Sequence, residues 1–298
     1  MQQFCGETWG EAVRWAAAQL HAVTDHPRLE AELLLAYLSD VPRTRILAHP
    51  EAALTSKLAL SYVACIDRRA SAEPLPYITG HMEFFGLDFR VTPDVLIPRP
   101  ETELLVEVSL GWLRERAPDR AENSSLGQGI SAVDVGTGSG CIAVSLAVQA
   151  RGLQLYAVDL STPALWVAKA NAREHGVVDR ITFLAGSLLV PLPERVDLIV
   201  SNPPYVTEAE WKALPASVQR EPRGALVSGP DGLDAVRGLL LQATACLQPG
   251  GLLLVEIGER QGDAVLGLAR AAFPDAEIQI LLDLAGKERV LEVRLPLT

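Results

Sequence analysis

Residues 132–150 read AVDVGTGSGCIAVSLAVQA, and this stretch decides the fold. It begins as an apolar strand, continues through a loop with three glycines, and ends in an apolar helical pattern. Glycines between a strand and a helix allow positive φ angles and let a ligand approach the main chain closely. The stretch therefore predicts a strand, a ligand-binding loop and a helix, the opening unit of a Rossmann-like α/β domain.

Apolar runs and helical patterns alternate through the rest of the chain. We predict strands at 132–135, 155–158, 181–184, 196–200, 252–257, 278–282 and 290–293. The helical patterns lie at 101–116, 141–150, 163–175, 231–247 and 260–272. Such alternation predicts a seven-stranded, mostly parallel sheet covered by helices on both faces, with the last two strands joined as a hairpin. Ligands of these sheets gather at the carboxyl ends of the strands.

The acidic residues around the glycine loop indicate its ligand. Asp159 ends the next predicted strand, where a carboxylate can accept hydrogen bonds from both ribose hydroxyls of an adenosine. The glycines are spaced GxGxG, whereas pyrophosphate binders use GxGxxG, and Asp134 stands two residues before the first glycine. A carboxylate repels a pyrophosphate but attracts an ammonium or sulfonium group. The loop therefore favours S-adenosylmethionine, with NAD as one alternative and a purely structural turn as another.

Residues 202–205, NPPY, directly follow the strand predicted at 196–200. Two prolines cannot continue a central ladder, so the chain must leave the sheet there, at the end that faces the donor. An amide or aromatic amine nitrogen is a poor nucleophile because its lone pair is delocalised. The Asn202 side-chain oxygen and the Pro203 carbonyl can each accept one of its hydrogens, while Tyr205 can stack on the planar group. The motif indicates methylation of a planar NH2 group, which glutamine, adenine and cytosine all present.

Residues 1–73 are predicted to form a small all-helical domain. Thr8 and Glu11 have the spacing of a capping box, and apolar residues then recur at helical intervals. In the second helix, Leu29, Leu33 and Tyr37, together with Leu34 and Leu38, are expected to form one apolar stripe that ends before Pro42. The role that we predict for this domain is recognition of a protein partner, with a simple packing module as the alternative.

Prolines and glycines punctuate residues 74–98, where apolar segments flank Gly86. This pattern predicts a β-hairpin that connects the helical domain to the methyltransferase domain at 99–298. The net charge of −11, with an acidic excess in the first 98 residues, offers no basic face for nucleic acid. Four scattered cysteines suggest no metal site, and no apolar run or leader predicts a membrane span or export, so we expect a cytoplasmic protein.

Over essentially its whole length the chain resembles the protein-glutamine N5 methyltransferases known as HemK or PrmC. The matching segments are 76–80 (PYITG), 98–103 (PRPETE), 134–140 (DVGTGSG), 202–205 (NPPY), 221–226 (EPRGAL) and 229–233 (GPDGL). The resemblance implies methylation of the glutamine in the GGQ motif of class-1 translation release factors. It also implies an N-terminal helical domain that helps to hold the factor, and we expect the protein to act as a monomer.

The motifs and the resemblance together give the candidate site residues; the resemblance itself implies residues 136–140 and Asp159 for the donor and residues 202–205 for the glutamine. Those for the methyl donor are Asp134, Gly136, Thr137, Gly138, Ser139, Gly140, Asp159, Ser187, Leu188 and Asn202. Those for the glutamine are Asn202, Pro203, Pro204 and Tyr205, of which Asn202, Pro203 and Tyr205 are the predicted catalytic residues. Family members usually have an acidic residue and then an aromatic one where this chain has Ser187 and Leu188. We expect Leu188 to pack on the adenine ring and Ser187 to offer a weaker hydrogen bond.

Three other functions share some of these motifs. An adenine-N6 nucleic-acid methyltransferase uses the same NPPY chemistry but calls for a basic substrate-binding domain, which this acidic chain lacks. A glutamine methyltransferase of a ribosomal protein differs only outside the catalytic motifs. A non-catalytic S-adenosylmethionine-binding protein has no need of an intact NPPY segment, so residues 202–205 argue against it.

Overall fold

The computed structural model describes residues 6–116, 126–127 and 129–297. The chain divides into two compact units. The helical unit comprises Met1–Gly80 and Pro215–Arg220, and the sheet unit comprises His81–Leu214 and Glu221–Thr298. In the part of the chain that the structure describes, no helix is both long and apolar enough to cross a bilayer.

Five α-helices build the described part of the helical unit. They are α1 (Trp9–Leu20), α2 (Pro27–Ser39), α3 (Arg43–Ala48), α4 (Ser56–Ala70) and α5 (Leu75–Thr79). The predicted capping box is confirmed, because the Thr8 side chain accepts from Glu11 N and the Glu11 carboxylate accepts from Thr8 N. Tyr62 in α4 is fully buried and donates from its hydroxyl to Ala31 O at 2.8 Å, which fixes α4 against α2.

The apolar stripe expected on α2 is not the buried face of this helix. Leu29, Leu33 and Tyr37 are exposed, Tyr37 by 48%, whereas Leu34 and Leu35 are fully buried. Leu29, Leu33 and Tyr37 do lie in one line along α2, but Leu34 and Leu38 belong to the face that packs in the core. The prediction of a single stripe was wrong because α2 carries apolar side chains on two faces, and spacing alone does not tell which face packs. The helical unit therefore presents an apolar face to solvent, defined by Leu29, Leu33 and Tyr37 and called the α2 face below.

The sheet unit begins with a hairpin and continues as alternating strands and helices. Its strands are β1 (His81–Phe84), β2 (Leu87–Arg90), β3 (Ser131–Val135), β4 (Gln154–Asp159), β5 (Ile181–Ala185), β6 (Val196–Ser201), β7 (Leu247–Glu256), β8 (Glu277–Leu282) and β9 (Glu288–Arg294). Its helices are α6 (Glu103–Glu115), α7 (Cys141–Gln149), α8 (Thr162–Glu174), α9 (Glu208–Trp211), α10 (Asp234–Cys246) and α11 (Gly262–Ala272). The predicted seven-stranded α/β sheet and the hairpin at Gly86 are both confirmed.

The large sheet has the order β5-β4-β3-β6-β7-β9-β8. Its pairs are parallel from β5 to β7, and β9 is antiparallel to both of its neighbours. Both faces of β3 are buried, since Ala132 and Val133 are fully buried in two different core clusters. Phe84 and Phe89 of the small hairpin belong to the same cluster as Ala132, so the hairpin is part of the core of the sheet unit.

The sheet register brings the chemistry-bearing residues to one edge. Val135 pairs with Ser201, and Ser201 pairs with Val255, so the carboxyl ends of β3, β6 and β7 lie side by side. Asp159 at the end of β4 pairs with Ala185 on the other side. The glycine loop, residues 202–205 and Glu256 therefore follow neighbouring strand ends, where ligands of doubly wound sheets bind.

Candidate active site

The loop between β3 and α7 offers bare main chain to a ligand. It is tied to the end of β4, because Gly136 N donates to Val158 O at 2.8 Å. Gly140 has a φ of 81°, and a Cβ atom there would lie 3.0 Å from Ala168 Cβ in α8. Gly138 faces a cavity instead, and a Cβ atom there would meet nothing nearer than Gly136 O at 3.9 Å. Gly140 thus permits close packing of the loop against α8, and Gly138 leaves room for a ligand.

Asp134 lies fully buried beneath this loop. Its Oδ2 accepts from Thr137 Oγ1 at 2.6 Å and from Ala143 N at 3.1 Å, while Oδ1 has no hydrogen-bond partner among the described residues. Burial raises the pKa of Asp134 to about 7. Neither Asp134 nor the buried Thr137 and Ser139 is among the described residues of the cavity wall. The contacts of Asp134 hold the loop in shape, and its contact with the donor stays a prediction.

Asp159 faces the cavity from the end of β4. Its Oδ2 accepts from Gly138 N and its Oδ1 accepts from Ser161 N, both at 2.8 Å. Burial raises the pKa of this carboxyl above its ordinary value, against the effect of the backbone donors. Each carboxylate oxygen has a second lone pair, so Asp159 can fix the glycine loop and still accept from a ligand.

The cavity has a volume of about 550 Å³, which is in the range of small-molecule and cofactor sites. Its lining comes entirely from the sheet unit: Asp94, Val95, Leu96, Val135, Gly136, Gly138, Asp159, Leu160, Ser161, Ala164, Gly186, Ser187, Leu188, Asn202, Pro204, Pro222, Gly224, Ala225, Asp234 and Ala235. Residues after β3, β4, β5 and β6 therefore meet around one space, as the sequence predicts for a ligand site in this fold.

Ser187 and Leu188 lie on the wall of this cavity, after the end of β5. Leu188 has a φ of 52°, in the left-handed region that side chains other than glycine rarely adopt. Its Cδ1 atom would lie 2.7 Å from a Cβ atom added at Gly238 of α10, so the absence of a side chain at Gly238 makes room for Leu188. At this point the cavity wall is formed by the apolar side chain of Leu188, for which Gly238 leaves room.

The NPPY segment leaves β6 beside the cavity. Asn202 and Pro204 line the large cavity, and Asn202 and Tyr205 line a second space of about 20 Å³ together with Arg99 and Leu96, Val206, Ala225 and Leu226. Pro203 is buried and lines neither of them among the described residues. Asn202 is therefore the residue of this segment that stands on the wall of both spaces.

Two residues that the sequence analysis did not assign hold the NPPY segment. Asn202 Nδ2 donates to Thr102 Oγ1 at 3.0 Å, and Thr102 Oγ1 donates to Glu256 Oε2 at 2.7 Å. The Tyr205 hydroxyl donates to the other oxygen, Glu256 Oε1, at 3.3 Å. Burial raises the pKa of Glu256 to about 7 and the pKa of Tyr205 above its ordinary value. An acidic residue at the end of the apolar run 252–255 was the signal that could have found Glu256.

Arg99 and Glu221 join two more of the motif segments. Glu221 is buried, forms an ion pair with Arg99, and accepts from Ile97 N at 3.0 Å. The segments 98–103 and 221–226 are thereby held together along one side of the NPPY residues. These two segments, far apart in the sequence, therefore meet in the sheet unit.

The buried Glu256 carboxylate should make the fold less stable as the pH rises. Below an unfolded pKa near 4.5 both states bind the proton, but above about pH 7 the folded state holds a desolvated charge. Glu256→Gln removes this ionisation. Between about pH 5 and about pH 8, the free energy of unfolding should fall in both proteins. We expect the fall to be about 2 to 3 kcal/mol smaller in the Glu256→Gln protein than in the unaltered protein. Chemical denaturation at both pH values measures the difference.

Glu277→Gln is the matched control for this measurement, because Glu277 is exposed at the start of β8. Its pH dependence should follow that of the unaltered chain. If the Glu256→Gln protein lost as much stability with pH as the unaltered protein, Glu256 would not carry the buried charge.

The strand order, with the NPPY segment and the glycine loop facing one cavity, is the arrangement of the class I methyltransferases, whose methyl donor is S-adenosylmethionine. Comparison with known proteins identifies the family within this class. The family model described as PrmC N-terminal domain matches residues 11–80, and the one described as Methyltransferase small domain matches residues 123–229. The chain belongs to the family of release factor glutamine methyltransferases, which confirms the resemblance seen in the sequence.

Two relatives show how much of the chain this family covers. The release factor glutamine methyltransferase of Moorella thermoacetica is 48% identical over 281 residues, which are 94% of this chain and 94% of the relative. That of Nitratidesulfovibrio vulgaris is 40% identical over 287 residues, 95% of this chain and 93% of the relative. A solved methyltransferase from Pyrococcus furiosus, 16% identical with a TM-score of 0.50, covers 72% of this chain and 91% of its own and shows the fold alone.

Proposed function

We propose that this chain transfers a methyl group from S-adenosylmethionine to the side-chain amide nitrogen of the glutamine in the GGQ motif of class-1 translation release factors. The family supports the choice of substrate, since its members are named for release factor glutamine methylation. The observation that carries the proposal is the position of Asn202 on the walls of both the large cavity and the small one. Asn202 can therefore contact a donor in the large cavity and, at the same wall, the glutamine that meets it.

The large cavity is the proposed donor site. Asp159 would accept from the ribose hydroxyls, Gly136 and Gly138 would let the donor approach the main chain, and Leu188 would pack on the adenine with Ser187 beside it. When bound, the donor supplies a methyl group on a positively charged sulfur that is already activated for transfer. The volume, the carboxylate and the bare glycine main chain all fit S-adenosylmethionine.

The NPPY residues are the proposed acceptor site. The Asn202 Oδ1 atom and the Pro203 carbonyl would each accept one hydrogen of the glutamine amide, which weakens the amide conjugation and directs the nitrogen lone pair at the methyl carbon. Both acceptors also stabilise the positive charge that grows on nitrogen during transfer. Tyr205 would cover the planar amide. No strong base is needed at the start, because the methylated nitrogen loses its extra proton after the transfer.

We propose that the helical unit docks the release factor through the α2 face. Leu29, Leu33 and Tyr37 are exposed along one line of α2, and an exposed cluster of this kind is typical of a protein contact. We also propose that the enzyme acts as a monomer. Since release factors act on ribosomes, the proposed reaction belongs in the cytoplasm and needs no direct contact with nucleic acid.

Leu33→Asp should weaken docking without changing the chemistry. A charged residue in the centre of the α2 face should raise KM for an intact release factor about tenfold, equivalent to about 1.4 kcal/mol. KM for a short peptide that carries only the GGQ sequence should stay the same, because the peptide reaches the active site alone. Leu284→Asp, at an exposed position between β8 and β9, is the matched control. An unaltered KM for the intact factor in the Leu33 variant would rule out this face.

The proposed substrate is tested against its rivals in one assay. The enzyme is incubated with methyl-labelled S-adenosylmethionine and, in separate reactions, a purified class-1 release factor, ribosomal proteins, and adenine-containing DNA or RNA. Label in the release factor alone is the expected result. Label in a ribosomal protein or in nucleic acid, with none in the release factor, would overturn the proposal.

A further inference from the structure

The amide of Asn202 has two chemically opposite ends, and only one of them is useful to the proposed reaction. Its oxygen accepts hydrogen bonds and its NH2 group donates them, although the two have nearly the same shape. We infer that Thr102 and Glu256 are positioning residues that fix the Asn202 amide with its oxygen toward the acceptor. This inference rests on the proposed function and adds to the NPPY motif a device built from two other segments of the chain.

The direction of the hydrogen bonds follows from counting protons. Above about pH 7 the Glu256 carboxylate is ionised and has no hydrogen, so there the Thr102 hydroxyl must donate its single hydrogen to Glu256 Oε2, 2.7 Å away. The Thr102 oxygen can then only accept, and it accepts from Asn202 Nδ2 at 3.0 Å. A reversed amide would place Asn202 Oδ1 against an oxygen that has no hydrogen left to give. The carboxylate thus sets the orientation of an amide that it does not touch.

The surroundings of Glu256 suit hydrogen bonding to neighbouring hydroxyl groups rather than an ion pair. It is 1% exposed, and no described cation lies within ion-pair distance of it. Arg289 approaches from β9, but its guanidinium is paired with Asp283 at 3.1 Å. Glu101, Tyr205 and the buried Cys141 are the other titratable groups close to the carboxylate. A buried carboxylate without an ion pair weakens the fold, so its position beside the NPPY segment points to function.

The Tyr205 hydroxyl forms a direct hydrogen bond between the NPPY segment and Glu256. It donates to Glu256 Oε1, so one carboxylate holds the last residue of the NPPY segment directly and the first residue through Thr102. Thr102 lies in the segment 98–103, and Glu256 lies 154 residues further on, at the end of β7. Parallel pairing of β6 with β7 brings these groups to the same edge of the sheet.

The test compares Thr102→Val, which keeps the shape but removes the hydroxyl, with Thr102→Ser, which restores it. We expect kcat on the release factor to fall about tenfold to a hundredfold in the valine variant, with little change in KM for S-adenosylmethionine. Serine should recover most of the rate. Ser109→Ala is the matched control, because Ser109 is a buried hydroxyl of α6 that donates only within its helix. Equal losses in the valine and serine variants, or none in valine, would overturn the inference.

A double-mutant cycle separates positioning from a general structural effect. If Thr102 acts through Asn202, then adding Thr102→Val to Asn202→Ala should cost almost nothing further in kcat. A full additional loss in the double variant would contradict the inference. A structural defect would also lower the rate in both backgrounds.

A second readout does not depend on the acceptor. In 15N NMR spectra of the full chain, the Asn202 side-chain NH2 hydrogens should exchange slowly in the unaltered and Thr102→Ser proteins and faster in Thr102→Val. Equal exchange in all three proteins would overturn the inference. If the unaltered enzyme left release factors unlabelled while this exchange pattern held, the proposed substrate would fail and the positioning role would stand.

Discussion

Asn202→Ala is expected to lower turnover by roughly a hundredfold to a thousandfold, the loss that follows removal of one preorganised polar partner from a catalytic site. The substitution removes the acceptor that lies on the walls of both cavities. Its effect should fall on kcat, because the hydrogen bond to the amide strengthens as positive charge grows on nitrogen. The affinity for S-adenosylmethionine should change much less, since Asp159 and the glycine loop provide most of the donor contacts. Steady-state kinetics and calorimetry measure the two quantities separately.

Asn202→Asp sharpens this test. A carboxylate keeps an acceptor, but it cannot donate to Thr102 and adds a charge close to Glu256. We therefore expect partial activity in the aspartate variant and near-loss in the alanine variant, with both proteins folded by circular dichroism. Methylation at the unaltered rate by folded Asn202→Ala would show that another group carries the chemistry.

Asp159→Ala should raise the dissociation constant for S-adenosylmethionine tenfold or more. The variant loses hydrogen bonds to the donor, each with a charged partner and worth about 1.5 to 3 kcal/mol. It also frees Gly138 N and Ser161 N, which Asp159 holds at 2.8 Å, so the glycine loop becomes less well ordered for the donor. Isothermal titration calorimetry of the folded variant measures the change directly.

Two further variants isolate the cause. Asp159→Asn keeps one oxygen acceptor and the shape of the side chain, so its affinity should lie between those of Asp159→Ala and the unaltered protein. Asp179→Ala removes an exposed carboxylate that follows α8 and should bind the donor normally. Unchanged affinity in Asp159→Ala would remove this residue from the donor site.

The central sheet was predictable because its strands are short apolar runs with helices between them. In a parallel sheet both faces are buried, so strands such as β3 and β6 stand out as continuous apolar segments. The position of the site followed from the same pattern, since the glycine loop, Asp159 and the NPPY segment each come directly after a strand. The strand predicted at 252–257 begins earlier in the structure, at Leu247. The prediction missed its first half because Pro249 and the following glycines interrupt the apolar pattern there.

The failures have physical causes too. Helix α2 has apolar residues on two faces, and only the packing of α1 and α4 decides which one is buried. Thr102 and Glu256 were missed because their relation to Asn202 depends on strand order, which brings together segments that are remote in the sequence. Hydrogen-bond direction in such a network depends on tertiary contacts that no local pattern encodes.

The central claim is that the methyl group arrives on the amide nitrogen of one particular glutamine, and mass spectrometry of the modified release factor tests it most directly. After incubation with S-adenosylmethionine and proteolysis, the peptide that contains the GGQ sequence should gain the mass of one methyl group, and fragmentation should place it on the glutamine side chain. A release factor with that glutamine replaced by alanine should stay unmodified. Methylation at any other residue, or an unmodified GGQ peptide after full incubation with active enzyme, would contradict the account.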